Sequence, residues 1–190
     1  MNVLIVSATK NEVQTDYPHL VTGVGIVATA IEVSKALVER KYDLVVNAGI
    51  AGSFNRSIPL GSVVEVVKDQ LSEIGAQDGC QFLSPAEIGL KVTTVVEMSA
   101  QTNLNSVSGI TVNTVHGDDK AISQIVHRLN PSVESMEGAA CMLACQNAGV
   151  PCVQLRAISN YVEKRNKSNW DIPLAIQNLN QELSNFLAEL

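Results

Sequence analysis

Aromatic residues make up only 4% of this 190-residue chain, and charged residues only 17%. With so few rings, a core has to be assembled from Val, Ile, Leu and Ala. The hydrophobic share of 46% is ordinary for a globular protein and excludes intrinsic disorder. Basic residues are also scarce: 13 Lys and Arg stand against 19 Asp and Glu, a formal net charge of −6. No basic stripe runs along any segment, so the electrostatic footprint of a nucleic-acid binder is missing. No apolar run approaches the length of a membrane span. Met1 to Val6 lacks a basic leader, and its apolar run is too short for a signal peptide. A cytoplasmic location is expected by default. The four cysteines, Cys80, Cys141, Cys145 and Cys152, contain no CxxC pair. That spacing argues against a zinc site, and all four are expected to be ordinary, mostly buried thiols. A chain of this length buries a core without disulfide or metal staples.

What is present is an alternation of buried strands and amphipathic helices. Val3–Val6 reads as a strand covered on both faces, and His19–Thr22 as a short second one. After Gly23-Val24-Gly25 comes a helical stretch in which Val27, Ala30, Ile31, Ser34, Leu37 and Val38 share the apolar face. Asp43–Asn47 is a strand, followed by the small-residue run Ala48-Gly49-Ile50-Ala51-Gly52-Ser53. Further strands are expected at Ser62–Val67, Lys91–Val96, Ile110–Val115 and Cys152–Ile158, with residues 68–91 irregular. Helices are expected at Asp118–Leu129, Met136–Asn147 and Asp171–Leu190. In the last, Asp171 caps the start, Pro173 sits in a tolerant first turn, and Leu179, Leu183 and Phe186 mark the docking face. This order predicts one domain over residues 1–190, a three-layer α/β/α fold with a central mixed, mostly parallel sheet.

Gly23-Val24-Gly25-Ile26-Val27-Ala28 matches the GxGxxA form of a dinucleotide fingerprint. That motif needs an acidic residue at the end of the next strand, whereas Asp43 stands at the beginning of it. A tight strand-to-helix turn is the better reading, and no nicotinamide cofactor is expected. Four other places could carry chemistry: Glu12 past the first strand, the run containing Ala51 and Gly52, Met136-Glu137 at a helix start, and Asn160 past the last strand. In a parallel sheet such strand ends share one edge, where ligands bind.

Asn47–Ser53, Glu134–Ala140 and Arg156–Asn160 resemble, in order, the signature pieces of the nucleoside phosphorylase and nucleosidase superfamily. They are most similar to its branch of methylthioadenosine/S-adenosylhomocysteine nucleosidases. Arg156 through Glu163, followed by Arg165 and Trp170, is similar to the futalosine hydrolase branch, which serves an alternative menaquinone pathway. The resemblance implies a nucleoside phosphorylase-like fold, cleavage of the N-glycosidic bond of a purine nucleoside, and a homodimer or higher homo-oligomer. It implies no cofactor and no metal. Residue by residue, it makes Glu12 the general base that orients water, and Glu137 the ligand of the ribose 2′- and 3′-hydroxyls. It makes Met136 a sugar contact, and the backbone around Ala51 and Gly52 a wall of the base or water pocket.

The residue types suit that chemistry. Breaking the bond builds positive charge on the ribose, which rewards a nearby carboxylate. Negative charge grows on the leaving base, which rewards a hydrogen-bond donor. The adenine-releasing relatives carry Asp where this chain has Asn160. An Asn amide cannot give up a proton, but it can donate to N7 and O6, whereas a carboxylate would repel O6. Asn160 therefore points to a 6-oxopurine such as hypoxanthine. Trp170 or Tyr161 could stack on the base, and Arg165 or Lys164 could pair with an anionic 5′ group. The loop Ser7–Val13 has Lys10 but no Arg or Gly for a phosphate site. Hydrolysis is thus preferred to a purine nucleoside phosphorylase acting on inosine-like substrates. A third reading, a non-catalytic nucleoside-binding module, has no need of Glu12 at the water position.

Overall fold

Two neighbouring ten-residue strands form the spine of the molecule, β3 (Leu44–Ser53) and β10 (Cys152–Tyr161). Both are rich in Val, Ile, Leu and Ala and almost wholly buried, as parallel strands covered on both faces must be. The computed structural model describes residues 1–190. Around the spine lie β1 (Val3–Ser7), β2 (His19–Val21), β4 (Val63–Leu71), β7 (Val95–Glu97), β8 (Asn105–Thr111) and β9 (Val133–Ser135). A small separate hairpin joins β5 (Ala76–Asp78) to β6 (Gln81–Leu83). The helices are α1 (Ile26–Glu39), α2 (Asp119–Leu129), α3 (Gly138–Ala148) and α4 (Ile172–Ala188).

The main sheet is mixed and mostly parallel, with β1, β2, β3 and β10 all parallel to their neighbours on this side. It also closes on itself: β3 pairs with β10, β10 with β4, β4 with β8, β8 with β9, and β9 with β3. Side chains alternate across β1, β3 and β10. One set, including Ile5, Val46 and Leu155, meets Leu179, Leu183 and Phe186 of α4. The other, including Leu4, Val45 and Cys152, meets Val33 of α1 and Cys141, Met142 and Cys145 of α3. Helices thus cover both faces, the three-layer arrangement the alternation predicts. No helix is long and apolar enough to cross a membrane.

Several boundaries differ from expectation, each for a physical reason. The glycine-rich run after Asn47 is not a loop; it continues β3 to Ser53, because β10 and β9 supply ladder partners that small residues can approach. β8 ends at Thr111 instead of starting at Ile110, since Asn105–Thr111 pairs with β4. β9 is too short to show any period in the sequence, and β7 covers only the end of the strand expected from Lys91. The helix expected from Met136 begins at Gly138, with Glu137 as its N-cap. In α1 the buried face carries Thr29 and Val33, while Val27, Ile31 and Val38 are exposed. The helix turns toward α3 so that the Thr29 hydroxyl meets that of Thr22, 3.2 Å away.

Candidate active site

The carboxyl ends of β1, β3, β9 and β10 open into one cavity of about 370 Å³, a volume suited to a small ligand. Glu12, Ala51, Gly52, Met136, Glu137 and Asn160, distant in the chain, all line it.

Glu12 follows β1 in a tight turn. Its Oε2 accepts the backbone N–H and the hydroxyl of Thr9, at 2.7 and 3.0 Å. The carboxylate is thereby oriented and Oε1 faces the floor at Gly49. A methyl group at Gly49 would fall 3.3 Å from that oxygen and 2.7 Å from Nη1 of Arg156. Glycine is required there because a carboxylate and a guanidinium converge on one backbone position.

Glu137 caps α3 without bonding its own helix. Its Oε1 instead accepts the N–H of Gly25, 3.0 Å away. Gly25 has φ +100°, a conformation closed to other residues at little cost, so the Gly-Val-Gly turn has a use unrelated to dinucleotides. It aims an N–H at a carboxylate. A helix N-terminus favours an ionised carboxylate, but at Glu137 burial dominates. Burial pushes its pKa up, opposed by Arg156 and by the Gly25 N–H.

Asn160 sits just beyond a bulge in β10, at Ile158–Asn160. Its Oδ1 accepts the hydroxyl of Ser159 at 2.8 Å, and its Nδ2 donates to the carbonyl of Tyr161 at 3.0 Å. The amide is therefore held with oxygen and nitrogen assigned. Asn160, Gly52 and Glu134 are register neighbours on β10, β3 and β9. A methyl group on Gly52 would lie 3.2 Å from the Asn160 nitrogen and 3.6 Å from Cγ of Glu134. With Val162 Cγ2 only 3.0 Å from that methyl position as well, glycine is what lets these side chains pack together.

Two features escaped the sequence reading. Arg156 is 2% exposed, with Nη2 donating to Asn47 Oδ1 and Nε unpartnered. The signal was a cation in a buried strand of otherwise uncharged residues. His116 also faces the cavity, with its backbone N–H and Nδ1 bound to the two oxygens of buried Glu134 at 3.0 and 2.6 Å. Nothing in the spacing of residues 116 and 134 betrays that contact.

Of the residues suggested for stacking and for the 5′ side, Tyr161, Arg165 and Trp170 line the cavity. The Arg165 guanidinium lies 4.7 Å from the Trp170 ring centroid. Lys164 is exposed and outside the lining. Behind the cavity, Asp69 accepts bonds from Thr111 and Gln154, and burial pushes its pKa up to about 6. Cys141, Cys145 and Cys152 form a buried group with sulfurs within 4.8 Å of one another, which the spacing did not foretell. Contact with Cys141, reinforced by burial, pushes the thiols of Cys145 and Cys152 up. The group lies in the apolar layer between α3 and β10, away from the cavity lining.

Known proteins resemble this chain in sequence and in fold. A futalosine hydrolase of Streptomyces coelicolor is 33% identical over 150 residues, 74% of this chain but 63% of that protein. The chain thus spans less than two thirds of that relative. A futalosine hydrolase of Acidothermus cellulolyticus is 34% identical over 173 residues, 84% of this chain and 70% of that protein. Among solved structures, the native futalosine hydrolase of Helicobacter pylori superposes with a TM-score of 0.82 at 17% identity, covering 99% of this chain and 97% of that one. At that identity the likeness concerns the fold. The model of the phosphorylase superfamily matches residues 19–190, and the chain belongs to that superfamily.

Proposed function

We propose that this protein hydrolyses the N-glycosidic bond of a 6-oxopurine nucleoside, futalosine above all, releasing hypoxanthine and dehypoxanthine futalosine for menaquinone synthesis. The observation that carries this reading is the convergence of Glu12, Glu137 and Asn160 on one cavity.

In this reading the ribose diol lies against Glu137, whose two oxygens match vicinal hydroxyls, with Met136 packed beside the sugar. Glu12 takes a proton from a water molecule on the face of the ribose opposite the base. Its free Oε1 is the acceptor, because Oε2 is occupied by Thr9. As the bond lengthens, the two carboxylates stabilise the cationic sugar. The Asn160 N–H not given to Tyr161 meets N7 and O6 of the departing base, above the backbone of Ala51 and Gly52. The base leaves as an anion and takes its proton from solvent, to which Glu12 returns the proton it removed from water. Buried Arg156 keeps the carboxylates tolerable in a site of low dielectric. Arg165, stacked on Trp170 at the cavity wall, suits the anionic 5′ group.

No cofactor or metal enters this scheme. The partner is a small purine nucleoside, not nucleic acid or membrane, in a cytoplasmic homodimer or higher homo-oligomer. The test is a product assay on futalosine, inosine and methylthioadenosine, with and without phosphate. Hypoxanthine released from futalosine without phosphate is the expected result. Strict dependence on phosphate would establish a phosphorylase, and preference for methylthioadenosine would refute the role given to Asn160.

A further inference from the structure

We propose that His116 selects 6-oxopurines by accepting the N1–H of the base, with Glu134 as the positioning residue that fixes its tautomer. The inference rests on the reading above that the base is a 6-oxopurine.

Glu134 is 4% exposed and contributes nothing but acceptors. One oxygen takes the backbone N–H of His116 and the other meets Nδ1 at 2.6 Å. A carboxylate in this position places the ring proton on Nδ1. The second nitrogen of a neutral imidazole is then an acceptor. Nε2 has no hydrogen-bond partner in the protein and is not sealed from the surface. Phe54 packs edge-on against the ring, with centroids 6.2 Å apart, which limits its rotation.

The position of this acceptor relative to Asn160 gives it meaning. Asn160, Gly52 and Glu134 occupy one row across three adjacent strands, and Asn160 and His116 both line the same cavity. A purine edge in that cavity would meet the amide donor from one side and the imidazole from the other. Hypoxanthine presents N7 and O6, both acceptors, and then N1–H, a donor. Adenine presents N7, then a 6-amino donor, then N1 as an acceptor. Donor Asn160 and acceptor Nε2 match the first pattern throughout; the second satisfies Asn160 at N7 but opposes it at position 6 and opposes Nε2 at N1. Two readers of adjacent positions discriminate better than one, because the wrong base opposes both.

Binding of free bases tests this without turnover. Calorimetry would compare hypoxanthine, adenine and 1-deazahypoxanthine, which has C–H in place of N1–H. For the unaltered protein, hypoxanthine is expected to bind about tenfold to hundredfold tighter than the deaza analogue. His116→Ala should bring that ratio close to one while Asn160 still disfavours adenine. Glu134→Gln can donate to Nδ1 and so move the ring proton to Nε2, which should improve adenine relative to hypoxanthine. A merely structural Glu134 would weaken all three bases alike. If His116→Ala keeps the hypoxanthine-to-deaza ratio of the unaltered protein, the inference is wrong. That outcome is separable from failure of the hydrolase reading, which would appear as intact base selectivity with no hypoxanthine released from futalosine.

Discussion

Glu12 and Glu137 are carboxylates of one cavity with opposite surroundings, and their tasks divide accordingly. Glu12 is oriented by local bonds from Thr9 and keeps one oxygen free. Glu137 is held across the molecule by Gly25, and burial pushes its pKa up. Glu12→Gln preserves shape but removes the base, so kcat for hypoxanthine release should fall roughly 100- to 10,000-fold with KM little changed. Steady-state kinetics checks this, and an unaltered kcat would remove Glu12 from the mechanism. Asn160→Asp should shift the kcat/KM ratio from 6-oxopurine toward 6-aminopurine nucleosides by about tenfold to hundredfold, since a carboxylate repels O6. Competing futalosine against methylthioadenosine measures the ratio. These residues were legible in the sequence because each lies at the end of an expected strand or the start of an expected helix, in a chain resembling a known family; Asn160, expected past the last strand, lies within it. Arg156 and His116 were not, because their meaning depends on Asn47 and Glu134, partners brought near only by strand register.

Among the elements, α4 was the easiest to foresee and α1 the most misleading. α4 has a side-chain cap, with Asp171 accepting the Leu174 N–H at 3.0 Å, and one apolar stripe that enters the core. Leu183→Ala, at a position 1% exposed, should cost about 2–5 kcal/mol in a denaturant titration. Asp171→Ala should cost about 1 kcal/mol in the same measurement. In α1 the apolar residues outnumber the places available in the core, so periodicity alone could not choose the inward face. The element that decides is α3, which packs against α1 and shares a core cluster with Val33. β3 was foreseen only to Asn47 for a related reason. Glycine and alanine look like a loop in isolation, and become strand where a neighbouring backbone needs close approach.

For the molecule as a whole, the same α1 face leaves Val27 69%, Ile31 58% and Val38 87% exposed. A homo-oligomer would cover this stripe, and Ile31→Asp should then shift the sedimentation coefficient toward that of a single chain. An unchanged coefficient would place any interface elsewhere. The overall architecture was readable from the alternation of strands and helices, but closure of the sheet was not, because it depends on β9 and on β10 pairing with two strands. Asp69 on β4 is buried between Thr111 of β8 and Gln154 of β10, with consequences for global stability. Its carboxyl is raised to about 6 by burial, so the folded state holds a proton that the unfolded chain has released. This contribution is complete below about pH 4 and is lost as pH rises through about pH 6, a decline of roughly 3 kcal/mol. Asp69→Asn should flatten that part of the stability profile, as followed by melts across the acid range.

The double pairing of β10, with β3 on one side and β4 on the other, fixes the base end of the cavity to the most deeply anchored part of the protein. The opposite rim, around Arg165 and Trp170, belongs to a surface connection between β10 and α4. Under the proposed reading, recognition is thereby split between a rigid jaw and a replaceable one. Variation in the rim could retune the 5′ appendage with little disturbance to folding, whereas a change of nucleobase demands alteration of the scaffold itself.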